Sequence, residues 1–540
     1  MSKTVGEFLI RFLAGAGVSH VFGIPGVHTI ELYRGLAASG IAHFTPRHEQ
    51  GAGFMADGYA RVSGQPGVCF VITGPGLTNI VTSMGQALAD SIPMLVISSV
   101  NDHPDSPQPH GMLHESPNQS ALASNVSRFS QTVTMANQLP AALSRAFSIF
   151  NSARPGPVHI EIPISLLGSP FNPDEVHQRL PEYSRPQPAK STLKQVAQRL
   201  LSADCPLILA GGGARHAATE ITALAEQLDA PVHMTINGRG VIPHSHRLAV
   251  PATASTRAVR TLVSQSDVVL ALGTELAATD YDMYRDNGFS INGTLIHCDI
   301  DPGQFSNNQP AAITLCGDSA STAAALLSMI AEDQQHKNGP ERVATTLNAL
   351  EHELSPVTRQ HINLLTQIRN ALPEAVFCGD STQLIYSGNM FFGTDRPNRW
   401  FNSSTGFGTL GYALPAAIGA SIANPQLPVI CLIGDGGLQF VLGELGTLKD
   451  IAAGVTVLVW KNGGYREIRT SMEQAGADPV GVDLHTPDFV ALANAYGLDA
   501  VSADDPQTLL QALETYCRKT VPVVIEIDET RMMTALTQQH

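Results

Sequence analysis

A chain of 540 residues is too long for one hydrophobic core, so several domains are expected. With 43% hydrophobic and 15% charged residues it falls outside the disordered class, and a net charge of −15 argues against a nucleic-acid partner. Its seven scattered cysteines show no CxxC spacing and read as reduced thiols of a cytoplasmic protein.

The N-terminal run "MSKTVGEFLIRFLAGAG" is apolar, but Glu7 and Arg11 interrupt it at helical spacing and no small-residue cleavage site follows, so no signal peptide is expected. No uncharged run reaches the length of a membrane span. Strand-like runs follow in order: "HVFGI", "VCFVIT", "MLVISSV", "VHIEIP", "PLILAGGG", "DVVLALG", "TLIHCDI", "VICLIGDG", "TVLVWKN" and "VPVVIEI". Helix-like segments alternate with them, which is the βα rhythm of doubly wound parallel sheets. Two polar, proline-bearing seams, 168–191 and 332–345, read as linkers. The expected fold class is therefore α/β, with three doubly wound domains at about 1–170, 190–330 and 350–540.

In the third part, "VICLIGDGGLQF" drives a short β-branched run into Gly434-Asp435-Gly436-Gly437. Glycines after a strand let backbone N–H groups approach an anion, and an aspartate there makes sense if a cation lies between. Asn462 follows 27 positions after Asp435, at the end of the next predicted strand. One βαβ crossover would thus bring both residues to the strand ends where ligands bind in open α/β sheets. Asp435, the Asn462 amide and a carbonyl of the "NGGYRE" turn, most simply that of Gly464, would suit Mg²⁺. A helix predicted to open near Leu438 would point its N–H groups at the same phosphates. The bland alternative is a plain strand-end turn, which the well-spaced Asn462 disfavours. In the middle part, "LILAGGGARHAATEI" imitates a dinucleotide fingerprint, but His216 stands where the third glycine belongs.

The pair "GDGG…KNGGYREI" resembles the metal–diphosphate signature of thiamine diphosphate enzymes, and "TPRHEQGAGFMADGYARVSGQPGVCFVITGPGLTN" resembles the pyrimidine-binding domain of their acetolactate synthase and 2-oxo acid decarboxylase group. The likeness runs through all three parts in order, implying pyrimidine-binding, central and diphosphate-binding domains. It carries the metal ligands to Asp435, Asn462 and Gly464. Lys461 departs from the usual Asn-Asn pair, and its role is open at this point.

The resemblance also implies that Glu49 faces the cofactor's aminopyrimidine, where a carboxylate promotes loss of the thiazolium proton by general base catalysis. The competing reading is a surface residue after Arg47-His48. Further cofactor contacts are implied at Pro25 and Gly26, at Thr73 and Asn79, in "DSTQL" at Ser381, Thr382 and Gln383, and in "GFGTLGY" at Gly408 and Leu410. Leu410 would prop the cofactor into a bent form; otherwise it is a core leucine. Gly434, Gly436, Gly437 and Tyr465 complete the implied set.

For the substrate pocket, the resemblance points to the loop carrying Val27 and His28, to His114, Glu115 and Gln119, and to Glu467. His28 could do acid–base work or be merely solvated. His110 and His114 are four apart, but the prolines of segment 103–120, which also holds His103, make a helical metal site improbable. Glu467 stands where relatives are apolar, so it should be paired, protonated or used; it could instead turn away toward Arg466 or Arg469. The stretch "AVPATASTRAV" lacks the synthases' flavin segment, which leaves FAD a doubtful cofactor and weakens an acetolactate synthase assignment.

The expected activity is Mg²⁺- and thiamine diphosphate-dependent decarboxylation of a small-molecule 2-oxo acid. "NGGYREIR" and "GIPGVHTIELYRGL" look most like the branch that acts on 5-guanidino-2-oxopentanoate, whose guanidinium Glu467 and Glu115 could pair. The alternatives are a carboligase of acetolactate synthase type and a degenerate scaffold. The resemblance implies a homodimer or homotetramer with sites between subunits.

Overall fold

The computed structural model describes residues 3–102, 110–171, 180–283, 286, 288–330, 337–517 and 521–538. His103 and parts of both predicted linkers (172–179 and 332–336) lie outside the described residues. Three parallel six-stranded sheets with interspersed helices make up the fold, as the βα rhythm predicts. By compactness the chain forms two units. One is Met1–Ser184 with Gly406–Ser502 and Thr515–Glu526; the other is Arg185–Thr405 with Ala503–Glu514 and Ile527–His540.

In the first unit a sheet runs in the order Ala42–Phe44, His20–Gly23, Gly67–Val71, Met94–Val100, Pro157–Pro163, Phe129–Thr132. Its central strands are apolar runs buried on both faces, which is what a helix-covered parallel sheet requires. The same unit holds the strands Val429–Gly434 and Val455–Lys461, paired in parallel from Val429 with Val455 to Gly434 with Trp460. Asp435 and Asn462 therefore both follow the C-terminal ends of neighbouring parallel strands. The single helix expected from Leu438 is not formed. A turn of helix at Asp435–Leu438 is followed by a bend and a second helix, Glu444–Ile451. Two adjacent glycines weaken the first turn. The bend also lets Val441 and Leu445 reach the interior while Phe440 stays exposed.

Helix α1, Glu49–Ser63, starts on the His48 ring, whose Nδ1 accepts from the Gln50 N–H at 3.1 Å, and stops at Gly64 in the left-handed conformation. Helix α2 is Pro75–Ala89, with proline in its first turn, and helix α3 is Ala413–Ala423. Small residues let α1 and α3 touch backbone to backbone. A Cβ at Gly58 would lie 2.0 Å from the Ala416 oxygen, and one at Gly419 would lie 1.9 Å from the Met55 oxygen. Gly419→Val is thus expected to lower stability by about 3 kcal/mol, at the upper end of overpacking effects. Gly15→Ala, with nothing within 4 Å of the new methyl, should stay within about 1 kcal/mol of the parent. Urea denaturation of both variants tests the contrast.

In the second unit the central sheet runs Ala249–Val250, Val232–Met234, Pro206–Ala210, Val268–Leu272, Thr294–Asp299, Ile313–Cys316. Gly211 follows its strand with no room for a side chain, since a Cβ would sit 2.3 Å from the Gly273 oxygen. The parallel pair Val376–Gly379 and Trp400–Asn402 also belongs to this unit.

Candidate active site

Burial and hydrogen bonding isolate Asp435. It is fully buried, and its Oδ2 accepts from Gly463 N at 2.9 Å, Gly464 N at 3.1 Å and Thr486 Oγ1 at 3.0 Å. Its Oδ1 is also buried, with no hydrogen-bond partner among the described residues. A buried carboxylate oxygen left in that state costs free energy unless something cationic or protic meets it. The turn is shaped by glycine: Gly463 and Gly464 have φ of +89° and +114°, and a Cβ at Gly464 would lie 2.5 Å from the Val482 oxygen. The Gly464 carbonyl oxygen lies 3.4 Å from where a Cβ of Gly436 would stand, and the Tyr465 ring lies 2.9 Å from it. Any side chain at 436 would crowd this cradle. Asn462 is half-buried beside it. The orphan oxygen, the nearby carbonyl and an amide make a hard-oxygen donor set that fits Mg²⁺.

Lys461 has a structural partner. Its Nζ pairs with Glu526 Oε1 at 3.2 Å, and Glu526 Oε2 accepts from Phe489 N at 3.0 Å.

Glu49 opens α1 and is buried, not a surface residue. Oε2 accepts from Asn79 Nδ2 at 2.9 Å, so two of the expected positions meet. Oε1 makes no hydrogen bond among the described residues. The preceding N–H groups of Arg47 and His48 donate to Glu444 Oε1 at 3.1 and 3.2 Å. Burial raises the pKa of Glu444. Neither Glu444 nor Thr486 is legible from the sequence, because each acts on a residue far away along the chain.

The segment with Leu410 is held by buried polar contacts. Thr409 N donates to Gln86 Oε1 at 3.3 Å, and the Tyr412 hydroxyl donates to Asp57. Arg61 joins Asp57 and Asp90, each at 2.6 Å. Although burial opposes its charge, Asp57 and its neighbours keep the Arg61 guanidinium well above its ordinary pKa. Leu410 itself is half-exposed and so is not an ordinary core leucine. Gly408 has φ of +77° with open space around it.

The His28 and His114 rings meet edge to face at 5.2 Å, and the Nδ1 of each is buried without a partner among the described residues. Burial first, and His114 second, lower the His28 pKa. His114 has φ of +60°, uncommon for a side-chain-bearing residue, and its carbonyl accepts from Thr73 Oγ1 at 3.2 Å. Gln119 is fully engaged. Its Oε1 accepts from Thr73 Oγ1 and Gly74 N, and its Nε2 donates to Ser98 Oγ and Ser99 O. It therefore shapes the loop. Glu115 accepts from the backbone of His110 and Met112.

Pro25 is exposed, and Gly26 N donates to Thr29 Oγ1 at 2.9 Å. Glu467 is exposed on the helix Arg466–Gln474. Arg469 pairs with Asp483 and, at 3.2 Å, with Glu473. Ser381, Thr382 and Gln383 belong to the second unit. There Ser381 N donates to Asp380 Oδ1 at 2.8 Å, and Thr382 is the cap of the helix Gln383–Met390.

Comparison with known proteins reports the thiamine pyrophosphate enzyme family three times along the chain. The N-terminal TPP binding domain matches residues 3–122, the central domain 193–326 and the C-terminal TPP binding domain 380–527. The chain is 43% identical over 497 residues to the probable 2-ketoarginine decarboxylase AruI of Pseudomonas aeruginosa, covering 92% of this chain and 88% of that protein. The chain belongs to the thiamine pyrophosphate enzymes. Within this family it is also 31% identical to the acetolactate synthase of Arthrospira platensis, over 98% of this chain and 95% of that one. Acetolactate synthase isozyme 1 of Escherichia coli, large subunit, is 28% identical over 94% and 92%. No helix of this thiamine pyrophosphate enzyme is long and apolar enough, among the described residues, to cross a membrane.

Proposed function

We propose that this enzyme decarboxylates 5-guanidino-2-oxopentanoate (2-ketoarginine) non-oxidatively, using thiamine diphosphate and Mg²⁺. The observation that carries this reading is the 43% identity to a probable 2-ketoarginine decarboxylase over nearly the whole chain. We assign the metal to Asp435 Oδ1, Asn462 and the Gly464 carbonyl, in support of which Oδ1 is buried and unpartnered among the described residues. The bound cofactor supplies an electron sink for the pair released as the bond to the carboxylate breaks and CO₂ departs. Glu49, braced by Asn79, would hold the pyrimidine end, and Leu410 would support its bent form. The unpartnered Nδ1 atoms of His28 and His114 are suited to delivering the proton that replaces the lost carboxylate. In this reading residues 1–170 bind the pyrimidine, 190–330 form a central domain and 350–540 bind the diphosphate. The enzyme works in the cytoplasm as a homodimer or homotetramer. Exposed Val27, Leu113, Phe407 and Phe440 favour a covering subunit.

Glu467 and Glu115 would offer carboxylates to the guanidinium. A panel of 2-oxo acids tests this, with CO₂ and the residual aldehyde measured. The guanidino acid should be turned over far better than pyruvate, and Glu467→Gln should narrow that preference by about 1.5–3 kcal/mol, the scale of a hydrogen bond to a charged group. Equal turnover of both acids would remove the substrate assignment. Acetolactate formed from pyruvate would favour the synthase alternative that the 31% identical relative represents.

A further inference from the structure

Asp435 carries a negative charge on a side chain with two rotatable bonds, yet the proposed metal needs one of its oxygens kept free. Among the described residues three donors converge on Oδ2 and none on Oδ1. Two of them are backbone N–H groups of the glycine turn. The third is a side chain 51 positions further along, Thr486. Thr486 ends a segment that crosses the same turn. Gly464 bridges to Asp483, Tyr465 N donates to Val482 O at 2.9 Å, and Asp483 pairs with Arg469 of the following helix.

We propose that Thr486 is a positioning residue for the metal site: its hydroxyl fixes Oδ2 of Asp435 and leaves Oδ1 as the free oxygen for a divalent cation. The inference rests on the functional reading above. With valine at 486 the shape is nearly kept and the donor is lost. The carboxylate then holds two donors instead of three and can turn Oδ1 away. Serine restores the donor without the methyl.

The test is titration of Mg²⁺ into the full-length protein with saturating thiamine diphosphate, read by calorimetry, together with melting of the metal-free protein. Thr486→Val should raise the Mg²⁺ concentration for half-saturation about 10-fold, as removal of outer-shell partners does, and Thr486→Ser should stay within about twofold of the parent. Metal-free Thr486→Val should still melt cooperatively, lowered only by the lost hydrogen bond to a charged group. If Thr486→Val binds Mg²⁺ normally while Asp435→Ala does not, the inference fails and the metal assignment stands. If Thr486→Ser binds as weakly as Thr486→Val, or metal-free Thr486→Val loses cooperative melting, the role is structural and the inference is again overturned. If Asp435→Ala binds Mg²⁺ normally, the underlying reading fails.

Discussion

Asp435→Ala is expected to abolish Mg²⁺-supported binding of thiamine diphosphate, and with it activity. The aspartate is the one full negative charge among the three proposed ligands, and its loss leaves two neutral oxygens to dehydrate a reluctant cation. A partner outside the ligand shell is typically worth about 10–100-fold in metal affinity, so removing the ligand itself should exceed about 100-fold. The change also strips Gly463 N, Gly464 N and Thr486 Oγ1 of their acceptor, so melting of the variant is measured beside binding to separate loss of metal from loss of fold. Equilibrium dialysis of the cofactor with and without Mg²⁺ measures the effect. Normal cofactor retention in the variant would end the metal assignment.

Glu49→Gln separates binding from activation. Glutamine keeps the size and can still meet Asn79, so the cofactor should remain bound. What is lost is the carboxylate that promotes removal of the proton from the cofactor's reactive carbon. Exchange of that proton into deuterium oxide should slow by about 10²–10⁴-fold, the usual worth of a positioned acid–base group. Quenched-flow exchange followed by NMR reads it directly. Near-normal exchange would mean that Glu49 has another task.

Much of the fold is legible because buried parallel strands are written as unbroken apolar runs. "VCFVIT", "MLVISSV" and "VICLIGDG" each lie over a strand buried on both faces. The strands that escape are short, and several lie at sheet edges, such as Ala42–Phe44 and Phe129–Thr132, or Ala249–Val250 and Ile313–Cys316; Val232–Met234, with a partner on each side, escapes by its shortness alone. An edge strand has one neighbour and needs no apolar run, so "FSQT" carries no strand signal. The site divides in the same way. That Asp435 and Asn462 follow the ends of neighbouring parallel strands is readable because their spacing is set by one local crossover. Thr486 and Glu444 are not, because their relation to Asp435 and to the start of α1 exists only after the chain has folded. For Glu467 the position in the motif is plain, but its exposure is not encoded there.

The Lys461–Glu526 pair limits how this chain can be recombined. The strand ending in Lys461 reaches the metal turn one residue later, whereas Glu526 lies near the end of the last strand. A hybrid whose crossover falls between them, joined to a relative with asparagine in place of the lysine, would keep the carboxylate and discard its cation. The orphaned acid would still hold Phe489 but carry an unbalanced, half-sheltered charge beside the turn. Gene-shuffling libraries built from this enzyme should therefore be depleted of junctions in that interval, and the survivors should carry either both residues or neither.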